Sequence, residues 1–338
     1  MTSVEPSSSA SAPLLSVEDL STEYAVDGRV VRAVTQVTFS VGRGEVIGLV
    51  GESGSGKSAT GLSILRLLPR EGRIATGRVL LDGKDLAALP EAEMRRVRGG
   101  RIAMIFQDPM TSLNPYLRVE EQLAEVGVLH LGLSRKQAVE EAIALLDRVG
   151  IPDARKRAHG YPHEMSGGMR QRAMIAMALI GKPSLLIADE PTTALDVTIQ
   201  AQILDLLREL VKERGLSIIL VTHDLGVVAE IADRVLVMYA GRIVETGPAH
   251  DVLRNPYHPY TLSLLRSVPR LDQRSARLES IAGMPPRLDR GPFTECSFAP
   301  RCPFVRDACH RGEPALASPA SQPARLRRCI LPPEEVRP

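Results

Sequence analysis

A chain of 338 residues, 44% hydrophobic and 24% charged, carries enough apolar material for one large domain or two ordinary ones and is not a disordered sequence. Lys and Arg number 42 against 40 Asp and Glu, and a formal net charge of +2 gives no support to an extended nucleic-acid-binding surface. No apolar run approaches the ~18 residues that span a bilayer. The segment Met1–Pro13, rich in Ser and Ala, lacks the basic start and apolar core of a secretory signal, so a short disordered tail on a cytosolic protein is expected.

From Leu14 to Phe39 the pattern is short and alternating, with a turn at Asp27-Gly28, and predicts two or three strands. Glu45–Val50 (EVIGLV) is a continuous β-rich apolar run and predicts a buried strand. A glycine-rich loop follows, then a helix over Lys57–Leu68 stopped by Pro69. Arg101–Gln107 (RIAMIFQ) predicts another buried strand, whereas residues 108–165 contain no convincing one and read as a mainly helical insert. Within it Ser134 and Gln137 form a capping-box signature, Ala138, Ala142, Leu145 and Val149 recur at helical spacing, and Gly150 ends the element. A second apolar helix runs to Ile180 and stops at Gly181 and Pro183. Leu185–Asp189 (LLIAD) is a buried strand, Ile199, Ile203, Leu206 and Leu210 mark a helix closed by Gly215, and Leu216–Thr222 (LSIILVT) is again a buried strand. Buried strands alternating with helices predict an α/β domain with a largely parallel sheet. After about Pro256 the character changes: eleven of the 25 prolines fall between Gly283 and Pro338, which predicts a loop-rich appendix.

Gly51–Ser58 reads GESGSGKS and fits G-x-x-x-x-G-K-[ST], between a predicted strand and a predicted helix as that motif requires. Its glycines let the backbone wrap a phosphate, and the amides with the helix N-terminus supply positive potential. Lys57 can reach β- and γ-phosphates, and the Ser58 hydroxyl can ligate Mg²⁺. A chance glycine-rich turn is the alternative, and the flanking elements argue against it. Leu185–Glu190 (LLIADE) ends a strand in two carboxylates, Asp189 to hold Mg²⁺ and Glu190 to polarise an attacking water. Acids at a strand end are common alone; the order behind a phosphate loop makes these two specific. Ser166-Gly167-Gly168-Met169-Arg170-Gln171 opens a helix and offers a second anion site, although a bare Ser-Gly-Gly would read as a flexible turn. The four cysteines, Cys296, Cys302, Cys309 and Cys329, fall within 34 residues. In a reducing compartment such a cluster suits an iron–sulfur or zinc site better than two disulfides, although C-x-x-C knuckles are missing and unligated thiols remain an alternative.

The ordered set, with Ser166 placed 109 positions after Lys57 and shortly before LLIADE, resembles the ABC ATPase superfamily over almost the whole chain from Leu14. The resemblance implies a P-loop NTPase cassette: a RecA-like parallel-sheet core, an antiparallel β subdomain, and a helical subdomain over about 108–170. Its implied limits are 14–260 for the ATPase domain and 261–338 for a cysteine-containing extension. It implies ATP contacts at Gly51, Glu52, Ser53, Gly54, Ser55, Gly56, Lys57, Ser58 and Ala59, and adenine stacking on Tyr24, with an ordinary strand aromatic as the lesser alternative. It gives Gln107 a place at Mg²⁺ beside Ser58 and Asp189, and makes Ser166, Gly167, Gly168 and Gln171 the loop that meets a partner's nucleotide. Asp196, in Ala194-Leu195-Asp196, lies at the dimer interface, and His223 contacts the γ-phosphate. Lys57, Gln107, Glu190 and His223 form the catalytic set.

The strings IFQDPMTSLNP, YPHEMSGGMRQR, NPYHPYT and GMPPRL look like the ATPases of oligopeptide, dipeptide and nickel importers, and GMRQR and PRCP look more like the first ATPase of their usual unlike pair. This branch implies a second, homologous ATPase, two integral permease subunits, an extracytoplasmic solute-binding protein, a peripheral position on the cytoplasmic membrane face, and no nucleic acid. It also implies that the cysteines hold a [4Fe–4S] cluster, with Zn²⁺ as the alternative. A soluble non-transport ABC protein and a partner with a dead site are rival expectations; near-zero net charge and intact Lys57, Asp189, Glu190 and His223 count against them. Thr193 stands where many members have Ser.

Overall fold

The computed structural model describes residues 12–107, 112–192, 195–267, 281–289, 293–319 and 322–337. Most of the expected N-terminal tail, the segment 108–111, Thr193 and Ala194 lie outside them. The first two strands, β1 (Leu15–Val26) and β2 (Arg29–Val41), form a hairpin in the predicted region. Its turn residues Asp27 and Gly28 have φ of 49° and 72°, which a type I′ turn requires and Asp-Gly supplies at little cost. The five-residue β3 (Val46–Val50) is buried along its length and leads into the glycine-rich loop and α1 (Lys57–Ile64). That helix ends before the predicted Leu68, because Arg66 turns left-handed at φ 51° and caps back on the Ser63 carbonyl. The strands β4 (Gly72–Leu81) and β5 (Lys84–Asp85) join the hairpin in an antiparallel sheet of order β2-β1-β4-β5.

After α2 (Glu91–Val97) and β6 (Ile102–Ile105) the chain turns helical, as expected: α3 (Val119–Leu131), α4 (Arg135–Arg148) and α5 (Ala154–Ala158). Ser134 and Gln137 make the predicted capping box, with the Ser134 amide donating to Gln137 Oε1 at 3.0 Å and the Gln137 amide to Ser134 Oγ at 3.4 Å. The cassette is completed by α6 (Gly167–Ile180), β7 (Leu185–Asp189), α7 (Val197–Arg214), β8 (Ser217–Thr222), α8 (Leu225–Ile231), β9 (Arg234–Tyr239) and β10 (Arg242–Pro248). Two helices, α9 (Ala249–Arg254) and α10 (Pro259–Ser267), and a short β11 (Leu326–Arg327) follow.

The second sheet runs β11-β10-β9-β3-β8-β7-β6, parallel from β9 through β6 and antiparallel at β10 and β11. Both faces of its centre are covered, which is why β3, β7 and β8 read as unbroken apolar runs rather than alternating ones. Leu186, Ala188, Ile218 and Leu220 face the helical side with Leu123, Leu146, Ile175 and Leu207. Ile187, Ile219 and Val221 face the antiparallel sheet, with Leu15, Val17, Val37 and Val79.

The C-terminal segment is not a detached appendix. Phe298, 1% exposed, packs its ring 5.2 Å from Tyr239 and 5.4 Å from Tyr260. Arg325 and Glu245, both buried, pair at 2.6 Å, and β11 extends the main sheet at β10. The prolines fixed the loop character; three anchoring points fixed the position. Among the described residues no helix is long and apolar enough to cross a membrane.

Candidate nucleotide and catalytic site

Parallel strands deliver their C-terminal ends to one edge of a sheet, and open α/β sheets bind ligands there. Here β3, β8, β7 and β6 are adjacent and parallel, so one edge gathers the loop after β3, His223 after β8, Asp189 and Glu190 at the end of β7, and Gln107 after β6.

The loop Gly51–Ser58 closes tightly under the sheet. A Cβ at Gly51 would stand 2.2 Å from the Met238 carbonyl oxygen, and one at Gly56, where φ is 105°, 2.3 Å from that of Ala33, so both positions demand glycine. Ser55 and Lys57 are buried, Ser53 and Gly54 are exposed at the loop crest, and Ala59 lies on the first turn of α1. Lys57 Nζ donates to the carbonyls of Gly51 (2.7 Å) and Glu52 (2.9 Å). Burial pushes its pKa down, and the charges of Glu190, Asp189 and Glu52 push it back up.

Glu190 sits between two partners. Gln107 Nε2 donates to its Oε2 at 3.2 Å, and His223 Nδ1 lies 3.1 Å from its Oε1. Its φ of 50° is left-handed, a costly conformation for a glutamate, and its amide is held by the Val221 carbonyl at 2.8 Å. Asp189 is 4% exposed; burial raises its pKa, a hydrogen bond from Ser58 lowers it, and the Glu190 charge raises it again. Asp189 Oδ1 is buried without a hydrogen-bond partner among the described residues. A buried carboxylate with an orphaned oxygen, beside a hydroxyl and a second carboxylate, is a hard-oxygen donor set that fits Mg²⁺. The arrangement as a whole can cradle polyphosphate, hold a divalent cation and polarise a water.

Other expected residues lie elsewhere. The Ser166 hydroxyl caps α6 by accepting from the Met169 amide at 3.3 Å. Among the described residues no hydrogen bond or ion pair joins 166–168 to the phosphate loop. Gln171 is 1% exposed and donates through Nε2 to the Pro191 carbonyl, tying the signature helix to the turn after Glu190. Asp196 caps α7 through the Ile199 amide at 3.0 Å, with Val197 beside it 83% exposed. Tyr24 pairs with Gly72 across β1 and β4, and its ring covers that glycine, where a Cβ would stand 2.9 Å from Cε1.

The cysteines converge without closing a ligand set. The Cys296 amide donates to the Cys309 carbonyl at 2.9 Å, and all four thiols are free. Burial is the main cause that raises the Cys296 thiol to about 12 and the Cys302 thiol to about 11, and in each case Cys309 and Cys329 add to it. Among the described residues, however, no three His, Cys, Asp or Glu side chains stand where one metal ion could be held. The four thiols are soft donors, and Cys296, Cys302 and Cys329 pack against apolar side chains.

Sequence reasoning missed Tyr260 and Arg301, which both reach the phosphate loop at Glu52. An apolar helix start and a lone arginine in a proline-rich segment carry no local signal of that contact.

Residues 34–193 match the family model for the ABC transporter, and residues 244–309 the one for the oligopeptide/dipeptide transporter C-terminal region. The chain is 58% identical over 318 residues to a putative peptide import ATP-binding protein of Brucella abortus, covering 90% of this chain and 94% of that one. It is 54% identical over 323 residues to the oligopeptide transport ATP-binding protein OppD of Salmonella typhimurium, covering 96% and 95%. Among solved structures, the dimeric ATP-binding cassette MJ0796 bound to ADP and Pi matches with a TM-score of 0.64 at 26% identity, over 70% of this chain and 98% of that one. The structure of cbiO1 from Clostridium perfringens, part of the ABC transporter complex cbiONQ, matches with a TM-score of 0.59 at 30% identity, over 72% of this chain and 91% of that one. Motif order, strand-end geometry and these likenesses agree: the chain belongs to the ATP-binding proteins of ABC transporters, in the branch that carries the oligopeptide/dipeptide transporter C-terminal region.

Proposed function

We propose that this chain binds and hydrolyses ATP to energise an importer for short peptides. The observation that carries the catalytic reading is Glu190, held at the end of β7 between Gln107 and His223 and beside the phosphate loop. The substrate reading is supported by the peptide-import relatives and the C-terminal region they share.

In the proposed reaction, Lys57 leaves the loop carbonyls for the β- and γ-phosphates, and the amides of 51–58 wrap them. Glu190 accepts a proton from a water in line with the γ-phosphorus. The new P–O bond forms as the bond to the β-phosphate oxygen breaks, giving ADP and phosphate. His223 orients the Glu190 carboxylate and meets the γ-phosphate oxygens. Ser58, Gln107 and Asp189 would hold Mg²⁺, which supplies charge neutralisation on the phosphates when bound. Tyr24 is proposed to stack on adenine. Ser166, Gly167 and Gly168 would face the nucleotide of a homologous partner ATPase, with Asp196 at the junction, whereas Gln171, buried against the Pro191 carbonyl, would brace the helix behind them; the exposed Ser166 and Asp196, and Val197 at 83%, support that reading.

The proposed assembly is a heterodimer of ATPases on two integral permease subunits, at the cytoplasmic face of the membrane, fed by an extracytoplasmic solute-binding protein. The proposed division is an ATPase domain over 14–260 and an extension over 261–338. Cys296, Cys302, Cys309 and Cys329 are proposed to take up a [4Fe–4S] cluster, with Zn²⁺ the alternative metal; the four neighbouring soft donors support this. The deciding experiment is uptake of labelled dipeptide and of Ni²⁺ in a deletion strain complemented with the gene. Restored dipeptide uptake supports the peptide reading, and restored Ni²⁺ uptake alone overturns it.

A further inference from the structure

The phosphate loop is held from outside the ATPase motifs. The Glu52 carboxylate takes a two-pronged ion pair from Arg301, with Nη1 2.6 Å from Oε2 and Nη2 3.0 Å from Oε1, across 249 positions of sequence. The Arg301 side chain is only 3% exposed against 27% for Glu52. Two further donors of Arg301 are spent locally: Nε donates to the Ala282 carbonyl at 3.0 Å and Nη2 also to that of Ile281 at 3.4 Å. A guanidinium fixed on both sides is a rigid arm rather than a surface contact.

The backbone of Glu52 is held as well. Its amide donates to Tyr260 Oη at 2.8 Å. Its carbonyl accepts from the Ser55 amide at 3.2 Å and from Lys57 Nζ at 2.9 Å. Side chain, amide and carbonyl of this one residue therefore join the C-terminal segment to the lysine that must reach the phosphates. Tyr260 and Arg301 share a platform, since the rings of Tyr239, Tyr260 and Phe298 pack together and the Arg301 guanidinium lies 5.8 Å from the Tyr239 centroid. Arg301 ends the turn Ala299–Arg301, whose Ala299 amide bonds the Cys296 carbonyl at 2.9 Å and whose Ala299 carbonyl accepts from the Cys302 amide at 3.3 Å.

We propose that Arg301 is a positioning residue for the phosphate loop: through Glu52 it fixes the loop conformation that receives ATP, so that nucleotide affinity depends on the fold of the C-terminal extension. The inference rests on the reading of Gly51–Ser58 as the ATP loop. A merely structural arginine would change stability; a positioning one changes nucleotide affinity, and does so only while Glu52 is present to transmit it.

The test is a double-mutant cycle in the full-length subunit, with fluorescent methylanthraniloyl-ATP titrated against native protein, Glu52→Gln, Arg301→Gln and the double variant. KM and kcat for ATP are then measured in the assembled transporter. Each single variant is expected to raise Kd and KM about tenfold, with kcat at saturation within about twofold for Arg301→Gln, and the double variant to be no weaker than the weaker single, as coupled neighbours require. Arg301→Lys, which keeps charge but not the fork, should recover part of the affinity. Glu52→Gln, at a side chain 27% exposed, keeps the fold testable if Arg301→Gln does not accumulate. Native Kd in Glu52→Gln, or losses that multiply in the double variant, overturn the proposal. Native protein that binds no ATP overturns instead the reading of the loop, and Lys57→Ala is the control for that arm.

Discussion

His223 Nδ1 lies 3.1 Å from Glu190 Oε1, across 33 positions of sequence and the width of one sheet strand. The contact orients one carboxylate oxygen, and Gln107 orients the other. A carboxylate held by both oxygens is suited to act as a base in one direction only. Glu190→Gln keeps the shape and removes the base. The variant should bind ATP with near-native affinity and lose about 10²–10⁴-fold in turnover, the usual span for a general base. Single-turnover ATPase assays beside a binding titration check this; loss of binding would make Glu190 structural.

The ion pair of Arg325 with Glu245 is buried on both sides, at 2% and 0% exposure. Glu245 also accepts from the amides of Tyr257 (2.7 Å) and His258 (3.0 Å), so removing the arginine leaves a buried carboxylate with partial compensation. Arg325→Met should cost about 3 kcal/mol, toward the low end for breaking a buried pair. Adding Glu245→Gln should return part of that loss. Thermal melts of the three variants read it, and a single-variant loss below about 0.5 kcal/mol would show that the pair contributes nothing to the seat of the extension.

Stability should fall in mild acid because of His258. Its ring is 2% exposed and Nδ1 accepts from the Tyr260 amide at 3.1 Å, so the neutral form is the one that fits. Burial, aided by the charges of Arg327 and Arg328, lowers its pKa to about 3. The unfolded chain binds a proton near pH 6.5 that the folded chain refuses until about pH 3, so this contribution is full above 6.5 and is lost as pH falls toward 3. Relative to His258→Gln, the native protein should lose about 2 kcal/mol between pH 7 and 5. Melting temperatures of both proteins across that range check the slope; parallel curves would mean the histidine takes up its proton as readily in the fold as in the unfolded chain.

The cysteine region makes a prediction with three outcomes. Anaerobically purified protein should be brown, with about four irons per chain for a [4Fe–4S] centre. Cys302→Ser should bleach it. Colourless protein with one tight zinc would keep a metal and remove the iron; four freely alkylated thiols would remove both. Cys302 adjoins Arg301, which pairs with Glu52 of the phosphate loop. A measurable rise in Kd for ATP should accompany the bleaching.

What the sequence by itself determined is local. GESGSGKS, LLIADE and the capping box at Ser134 and Gln137 are contiguous strings whose chemistry acts over a few residues, and hydrophobic period placed the central strands to within a residue or two. Gln107 and His223 were identified only through a family order, because a glutamine after one strand and a histidine after another meet solely when parallel pairing brings those strand ends together. The length of α1 depended on a left-handed Arg66, a backbone state that helical spacing cannot report. The tertiary structure alone decided where the C-terminal segment sits. Cysteine spacing announced soft donors, but whether they close around one point depends on burial and charge from residues far away. The Arg301–Glu52 pair has no sequence signature, since an ion pair across 249 positions is specified by two surfaces brought together rather than by either string.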